Sequence, residues 1–279
     1  WLQRAKAEEL FSAAGLDFAA LKDAARRADF RPVELPGATM SVDFGQIADR
    51  VQTRNVLARI PGAQHPDETV MYGAHWDGYG VGTPDASGDK IYNAAVDNAT
   101  GVAALLELAH AFAAGPRPKR SIVFAAWSGE EAGLLGSTYY AANPVWPLEK
   151  TVANINVDSL LPGTEIDPNV VVIGKGKNQL DAVLERHASA TDRTLIADPA
   201  PQAGAFYRSD HFPLAIRGVP SLFPAAGFTG DTAPITYTVA DADGVWTYRR
   251  LAGAVGAVGA VESILTVQAL RTGDANKPD

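Results

Sequence analysis

Short apolar runs bounded by turn residues alternate with amphipathic segments along most of this chain. Apolar runs of about four to eight residues between turns are typical of buried strands. The pattern predicts strands over residues 55–60, 69–74, 121–127, 152–157, 170–173 and 219–223, with a further short strand around Leu195.

Apolar residues at helical spacing predict the remaining elements. Thr100 is expected to cap a helix that runs to Ala114, and Glu130 is expected to begin another that ends near Asn143. The other predicted helices are two short ones within residues 1–29, separated near Gly15, and helices over residues 178–190 and 251–270. Apolar strands that alternate with amphipathic helices indicate an α/β fold, in which a mixed, mainly parallel central sheet carries helices on both faces.

The domain organisation follows from the absence of a clear internal linker or repeat in the sequence. A chain of 279 residues can form one large α/β domain. We expect residues 1–50 to form an N-terminal helical segment that packs on a single main domain of residues 51–279.

Composition and charge exclude several classes of protein. A formal net charge of −8 leaves no broad basic face for binding nucleic acid. The chain has no cysteine, which rules out thiolate zinc sites, disulfides and a cysteine nucleophile. The most apolar stretch, residues 251–265, is shorter than the roughly 20 residues that a membrane span needs, and it contains Glu262.

The first residues, WLQRAKAEELF, are charged and periodic, unlike the apolar run of a signal peptide. Because the chain opens without Met, we expect a processed form or an excised piece of a longer protein.

The candidate chemistry lies where the predicted strands end. Acidic and imidazole side chains follow the apolar runs in the segments GAHWDGYG, NAAVDNATG, WSGEEAG and NVDS, namely His75, Asp77, Asp97, Glu130, Glu131 and Asp158. In an open α/β sheet the carboxyl ends of the strands meet at one edge, so these groups can converge there. Closely packed carboxylates repel one another, and one or two divalent cations would remove that conflict. Imidazole and carboxylate ligands suit zinc in an open catalytic site, with cobalt and manganese as alternatives.

Adjacent carboxylates from one backbone segment point in different directions. One of Glu130 and Glu131 can therefore bind the metal while the other acts as general base towards a metal-activated water. Asp77, two residues after His75, is placed to accept the second imidazole N–H.

Simpler explanations exist for each residue taken alone. Asp97 is compatible with a turn before a helix, and Glu130 and Glu131 are compatible with acids in the first turn of a helix. Turns and helix ends do not readily explain why all six of these residues follow predicted strands. Motifs of rival chemistries, G-x-S-x-G, H-E-x-x-H and the P-loop, are missing from the sequence.

The same residues carry a resemblance to a known family. The segments AHWD, YNAAVDNATGVAALLELA, RSIVFAAWSGEEAGLLGSTYYA, TVANINVDS and FYRSDHFPLAIRGVPSL, from about residue 53 to 228, resemble the M28 family of zinc peptidases. The resemblance implies a three-layer sandwich of the zinc-exopeptidase type and a secreted or periplasmic protein. The N-terminal stretch resembles the segment that follows an inserted protease-associated domain in bacterial members, so such a domain is expected upstream.

The resemblance also implies a site with two zinc ions. His75 and Asp158 would bind one ion, Glu131 would bind the other, and Asp97 would bridge both. Glu130 would be the general base, and Asp77 would orient the imidazole of His75.

One ligand of the family pattern is missing. Family members usually carry a Tyr-His pair after the last strand, and the alignment places Thr238 of ITYTVADAD at the histidine. Three outcomes are open: another residue substitutes, one metal suffices, or the protein is impaired. The candidate substitutes or supporting residues are His211, Asp210, Asp241 and Asp243.

The function implied is an aminopeptidase that hydrolyses N-terminal residues of peptides through metal-activated water. Tyr207, Arg208 and Phe228 are candidates for the substrate pocket. A carboxypeptidase of the same family and a catalytically impaired binding protein on the peptidase fold remain as alternatives. The Thr at 238 counts against the related glutaminyl cyclases, since it removes one of the residues that hold their zinc.

Overall fold

The computed structural model describes residues 2–225, except 87, 161–164 and 167, together with residues 228 and 229. The predicted helix over residues 251–270 lies outside this part, as do Thr238, Asp241 and Asp243. The chain divides into two compact units, Trp1–Val51 and Gln52–Asp279. The packing of residues 1–50 on the main domain stays a prediction.

The N-terminal unit contains the two short helices that the sequence predicts, α1 (Arg4–Ala13) and α2 (Phe18–Ala24). Gly15 separates them with a φ of 71°, a left-handed conformation that glycine adopts without strain. Asp17 caps α2 by accepting a hydrogen bond from the Ala20 amide at 3.0 Å.

The described part of the second unit contains the α/β elements. Its helices are α3 (Thr100–Ala114), α4 (Leu135–Ala142), α5 (Leu180–Ala190) and α6 (His211–Ala215). Its strands are β1 (Val56–Ile60), β2 (His65–His75), β3 (Gly80–Val81), β4 (Ile91–Tyr92), β5 (Arg120–Trp127), β6 (Thr151–Asn156), β7 (Glu165–Ile166), β8 (Asn169–Val172), β9 (Thr194–Ala197), β10 (Ser221–Leu222), β11 (Pro224–Ala225) and β12 (Phe228–Thr229).

Within the described residues, the central sheet has five strands in the order β1-β5-β2-β6-β10. Strand β1 is antiparallel to β5, and the other neighbours are parallel. The smaller sheets are β11-β8-β9, β12-β7 and β3-β4. His75 at the end of β2 pairs with Trp127 at the end of β5, and Gly73 pairs with Asn156 at the end of β6. The parallel strands therefore finish together at one edge.

The central sheet has an apolar cluster on each face. On one face, Val70 and Tyr72 of β2 pack with Leu108 and Phe112 of α3. On the other face, Met71 of β2 packs with side chains from β5, α4 and α6, among them Trp127, Tyr140 and Leu214. Alternate residues of β2 thus point to opposite helical layers. This arrangement confirms the predicted mixed α/β sheet covered on both sides.

The start of α3 differs from the prediction. Thr100 is the first residue of the helix, and its hydroxyl donates to the Val96 carbonyl at 2.7 Å. The capping acceptor is instead Asn98, whose Oδ1 receives the Gly101 amide at 2.9 Å. Asn can cap a helix as well as Thr, so local sequence alone did not separate the two.

Helix α4 begins at Leu135, later than the predicted start at Glu130. Gly133 and Leu134 have φ values of 103° and 60°, which a continuous helix does not accommodate. The amide of Glu130 donates to Asp77 in a tertiary contact. The glutamate pair therefore lies in a turn that faces the end of β2.

Candidate metal centre

Three candidate ligands reach the site from separate elements. His75 is the last residue of β2, and its side chain is 1% exposed. Asp97 lies in the segment between β4 and α3, and Asp158 lies just beyond β6. Because β2 and β6 are parallel neighbours, their ends bring His75 and Asp158 to the same edge.

The ligand atoms of these residues converge. Nε2 of His75 lies 2.8 Å from Asp97 Oδ1 and 3.3 Å from Asp158 Oδ1. One donor atom from each residue falls within 4.8 Å of the others, the arrangement that a bound cation requires. Within the described residues, this is the group of three that could hold a metal ion.

The tautomer of His75 shows why a cation fits. Its Nδ1 lies 3.2 Å from the backbone carbonyl of Asp77, which can only accept, so Nδ1 carries the proton. In the neutral ring Nε2 then presents a lone pair towards Asp97 Oδ1. Neither of these buried atoms has a well-formed hydrogen bond within the described residues. Facing lone pairs repel unless a cation or a second proton lies between them, and imidazole with carboxylate is a donor set that zinc accepts.

Without a cation, the same atoms hold a second proton on the ring. Burial lowers the pKa of His75, but the interactions with Asp158 and Asp97 outweigh that effect and raise it to about 11. Burial raises the pKa of Asp158, and its contacts with His75 reverse the shift, so that it lies below the usual value. The centre is therefore strongly attractive to positive charge.

A buried chain of hydrogen bonds supports Asp158. The amide of Asn156 donates to Ser209 Oγ at 2.7 Å, and Ser209 Oγ donates to Asp158 Oδ2 at 2.6 Å. Ser159 Oγ donates to the other oxygen, Oδ1, at 3.1 Å. These bonds fix the plane of the carboxylate so that Oδ1 faces His75.

Asn98 fixes the backbone beside Asp97. Its Nδ2 donates to the Val157 carbonyl at 2.9 Å, and its Oδ1 accepts from the amides of Gly101 and Ser159 at 2.9 and 3.1 Å. A Cβ atom at Gly101 would clash with Asn98, so glycine is needed for this approach. The residue next to Asp97 is thus tied to both α3 and the end of β6.

Asp77 joins the His75 segment to the glutamate pair. Its Oδ1 accepts the amide of Glu130 at 3.1 Å, and its Oδ2 accepts the amide of Glu131 at 3.2 Å. The carboxylate Oδ1 lies 3.7 Å from His75 Nδ1, farther than the Asp77 carbonyl. The sequence predicts that the Asp77 carboxylate accepts the imidazole proton; in the structure the Asp77 carbonyl is nearer to Nδ1, and the carboxylate holds the turn that carries Glu130 and Glu131.

The two glutamates lie half-buried beside the centre. Burial raises the pKa of Glu130 to about 8, with smaller contributions from neighbouring carboxylates and an opposing one from His75. Burial and then the charge of Asp97 raise the pKa of Glu131, against a hydrogen bond with the Tyr79 hydroxyl that lowers it. Glu131 is not in the group of three converging residues.

The other predicted residues divide between the interior and the surface. Asp210 is buried and accepts a hydrogen bond from Ser137 Oγ at 2.5 Å, and burial raises its pKa to about 7. His211 is fully buried, with Phe206 and Phe223 rings 4.9 and 5.0 Å away. Neither belongs to the converging group.

Tyr207 and Arg208 are exposed next to Ser209. Asp241 and the side chain of Phe228 lie outside the described residues.

Two supporting residues were not predicted from the sequence to act at the site. Asn98 fixes the backbone beside Asp97, and Ser209 hydrogen-bonds Asp158. Asn156, which hydrogen-bonds Ser209, had a sequence signal, because a buried amide within the apolar run VANINV requires a partner. Ser209 had no such signal, since its partners Asn156 and Asp158 are distant in sequence.

Comparison with known proteins decides the family. Residues 55–246 match the sequence profile of Peptidase family M28. The chain belongs to peptidase family M28. The M28 family is zinc-dependent, which agrees with the donor set described above and confirms the resemblance seen in the sequence.

Individual relatives match parts of this M28 chain. Aminopeptidase NAALADL1 of Mus musculus is 43% identical over 128 residues, 44% of this chain and 16% of that protein. The probable glutamate carboxypeptidase VP8 of Zea mays is 35% identical over 135 residues, 46% of this chain and 17% of that protein. The chain therefore spans less than a fifth of these curated relatives.

Solved structures share the fold. The aminopeptidase from Aneurinibacillus sp. strain AM-1 aligns with a TM-score of 0.56 at 19% identity, over 77% of this chain and 47% of that one. The zinc aminopeptidase from Bacillus subtilis aligns with a TM-score of 0.55 at 20% identity, over 77% of this chain and 50% of that one.

Among the described residues, no helix combines the length and apolarity that crossing a bilayer requires.

Proposed function

We propose that this M28 chain is a zinc-dependent exopeptidase that removes N-terminal residues from peptides. The observation that carries the proposal is the convergence of His75 Nε2, Asp97 Oδ1 and Asp158 Oδ1 beside the half-buried Glu130. A buried cluster of lone pairs with a nearby carboxylic acid is suited to hydrolysis at a metal centre.

The ligand roles belong to the same proposal. His75 and Asp158 would hold one zinc ion, Glu131 a second, and Asp97 both. When bound, zinc supplies a Lewis acid that polarises the peptide carbonyl and lowers the pKa of water.

Glu130 is the proposed general base. It takes a proton from the attacking water as oxygen bonds to the carbonyl carbon, and it gives that proton to the amine nitrogen as the C–N bond breaks. Its amide is fixed by Asp77, so its side chain starts from a defined position. Burial raises the pKa of Glu130 to about 8 in the cation-free site, and a nearby zinc ion would lower it, which favours the ionised form that accepts a proton.

A carboxypeptidase is the second candidate. The match to the maize glutamate carboxypeptidase favours it, and the exposed Arg208 beside Ser209 could bind a substrate carboxylate. Location in the periplasm or outside the cell, and an upstream protease-associated domain, rest on the resemblance to bacterial members.

Metal analysis with a substrate panel tests the proposal. We expect up to two zinc ions per chain and hydrolysis of aminoacyl-nitroanilides that a chelator abolishes. Glu130→Gln should retain zinc and lower kcat by about 10²–10⁴-fold. Glu107→Gln, on an exposed position of α3, is the matched control and should behave as wild type.

The panel also separates the alternatives. Cleavage of peptides with a blocked C-terminus but not a blocked N-terminus supports an aminopeptidase, and the reverse supports a carboxypeptidase. A protein that binds neither zinc nor cobalt and cleaves neither peptide contradicts both. A gain in zinc affinity and rate for Thr238→His would identify the missing histidine as the limit of an impaired site.

A further inference from the structure

The two glutamates beside the candidate centre lie on one short loop. We call residues 128–136, which follow β5 and lead into the first turn of α4, the glutamate loop. Its two ends meet, because the Gly136 amide donates a hydrogen bond to the Ser128 carbonyl at 2.8 Å. The positions of Glu130 and Glu131 therefore depend on how these ends are held.

Asn55 holds both ends of the glutamate loop with one side chain. Its Oδ1 accepts the Ser128 amide at 3.1 Å, and its Nδ2 donates to the Gly136 carbonyl at 2.9 Å. A Cβ atom at position 136 would clash with Asn55 Oδ1 and with the Ser128 carbonyl, so glycine allows this close approach. A further contact joins Thr53 Oγ1 to Ser128 Oγ at 2.5 Å. The segment before β1 thus clamps the two ends of the loop together.

The antiparallel strand β1 brings Asn55 to this position. Its first residue, Val56, pairs with Ala126 near the end of β5. An antiparallel strand begins where its neighbour finishes, so the residue just before β1 lies at the edge where the parallel strands end. Asn55 is therefore placed beside the start of the glutamate loop by the register of β1 on β5.

The clamp matters because its backbone partners are buried. Ser128 and Gly136 both belong to the interior, so an amide or carbonyl that lost its bond to Asn55 would not be solvated in place. An unsatisfied buried backbone group costs free energy, and the loop would relieve that cost by opening towards water. Asp77 holds the amides of Glu130 and Glu131, and Asn55 holds the ends of the same loop. Together the two contacts define where Glu130 starts.

We propose that Asn55 is a positioning residue that places Glu130 for proton transfer by clamping the glutamate loop. The inference rests on the proposed peptidase function, in which Glu130 is the general base, and adds a residue that acts through Glu130. A displacement of about 1 Å in a reacting group can cost about 100-fold in rate. Asn55 therefore affects the chemical step and leaves substrate binding unaffected.

Asn55→Ala tests the assignment through two measurements. In the zinc-free protein, the amides of Ser128 and Gly136 should exchange with solvent about 10-fold faster than in wild type, because the variant removes the bonds that hold the ends of the loop. At saturating zinc, kcat should fall by about 10–100-fold while KM stays nearly constant.

Asn178→Ala is the matched control. Asn178 is also half-buried and also bridges two backbone groups, since its Nδ2 donates to the Ser221 carbonyl at 2.8 Å and its Oδ1 accepts the Leu180 amide at 2.9 Å. These bonds tie α5 to β10. The control should lower Tm by a similar amount and leave both kcat and amide exchange in the glutamate loop as in wild type. A loss of stability alone would affect both variants equally.

Three results overturn the proposal. Wild-type exchange of the Ser128 and Gly136 amides in Asn55→Ala overturns the clamp. A wild-type kcat in Asn55→Ala, or an equal fall in Asn178→Ala, overturns the positioning of Glu130. A change confined to KM does so as well.

A second variant and the zinc-free measurement keep the test decisive. Should Asn55→Ala not fold, Asn55→Asp has the same size and keeps the acceptor for Ser128, but it has no donor for the Gly136 carbonyl. It should show the same fall in kcat and faster exchange of the Gly136 amide. If the wild type itself cleaves no peptide, the failure lies with the proposed function, and exchange in the zinc-free protein still decides whether Asn55 clamps the loop.

Discussion

Ser209 Oγ lies 2.6 Å from Asp158 Oδ2. The side-chain amide of Asn156 donates to the same serine oxygen, so the hydroxyl proton of Ser209 is directed to Asp158. A serine from the loop before α6 thereby orients a candidate ligand at the end of β6. Ser209 is 2% exposed, so water does not readily replace its side of this contact.

Ser209→Ala should weaken zinc binding at the His75 side of the centre by about 10-fold or more, because Asp158 loses the bond that fixes its plane. Chelator competition measures the effect. Ser159→Ala removes the longer hydrogen bond to Asp158, at 3.1 Å, from a half-buried serine and should weaken zinc binding less. Equal zinc affinity in Ser209→Ala and wild type would contradict the orienting role.

Asp77→Asn should lower kcat by about 10–100-fold with a smaller change in KM, since an amide offers one acceptor oxygen where two backbone N–H groups now bind. The displaced turn would carry Glu130 away from its position. Steady-state kinetics at saturating zinc measure the changes in kcat and KM separately. A larger change in KM than in kcat would indicate a role in binding substrate instead.

His211→Phe should retain both zinc content and the fold. Burial lowers the pKa of His211 to about 4, against smaller effects of Asp158 and the Phe206 carbonyl, so the ring is neutral at pH 7. Neither ring nitrogen makes a well-formed hydrogen bond within the described residues. Phenylalanine fills the space without a buried polar group, whereas His211→Ala should cost about 2–4 kcal/mol through the cavity. Loss of zinc in His211→Phe would instead identify His211 as the substitute ligand.

The zinc-free protein should lose stability as the pH rises from 6.5 to 8.5. Folding raises the pKa of Glu130 from 4.5 to about 8, that of Asp210 from 3.8 to about 7, and that of His75 from 6.5 to about 11. A raised pKa contributes stability in full below the unfolded value, and this is lost as the pH rises through the folded value. Folding lowers the pKa of His211 from 6.5 to about 4, so the pH dependence of its effect on stability has the opposite sign. The stability that this shift contributes is fully present above pH 6.5 and is lost only as the pH falls towards 4.

Thermal unfolding in chelator measures this dependence. Glu130→Gln removes one of the groups, so its Tm should exceed that of wild type at pH 8 and differ little at pH 4.5. A difference of 1 kcal/mol corresponds to about 2–4 °C for a domain of this size. Glu107→Gln provides the exposed control, and an equal pH slope in wild type and Glu130→Gln would count against the buried glutamate as a source of the effect.

The sequence was informative where chemistry coincides with periodicity. His75, Asp97 and Asp158 each follow an apolar run or precede a helix, and parallel strands bring such positions to one edge. The alternation of apolar runs and amphipathic segments also predicted the order of the central strands and helices along the chain.

Contacts between distant residues were not predictable from local pattern. Thr100 and Asn98 are both suitable caps, and the choice of Asn98 depends on Val157 and Ser159, far along the chain. Glu130 does not start a helix because Asp77, from another strand end, takes its amide. The role of Ser209 likewise requires the pairing of β6 with the loop before α6.

Strand β2 is buried from Thr69 to His75 and is paired on both sides, whereas β3 and β4 share two residue pairs and carry exposed side chains. Amide hydrogens of β2 should exchange with solvent only in global unfolding, and those of β3 and β4 should exchange in small local openings. We therefore expect the His75 flank of the centre to stay protected in the native state and the flank with the β3–β4 hairpin to open locally.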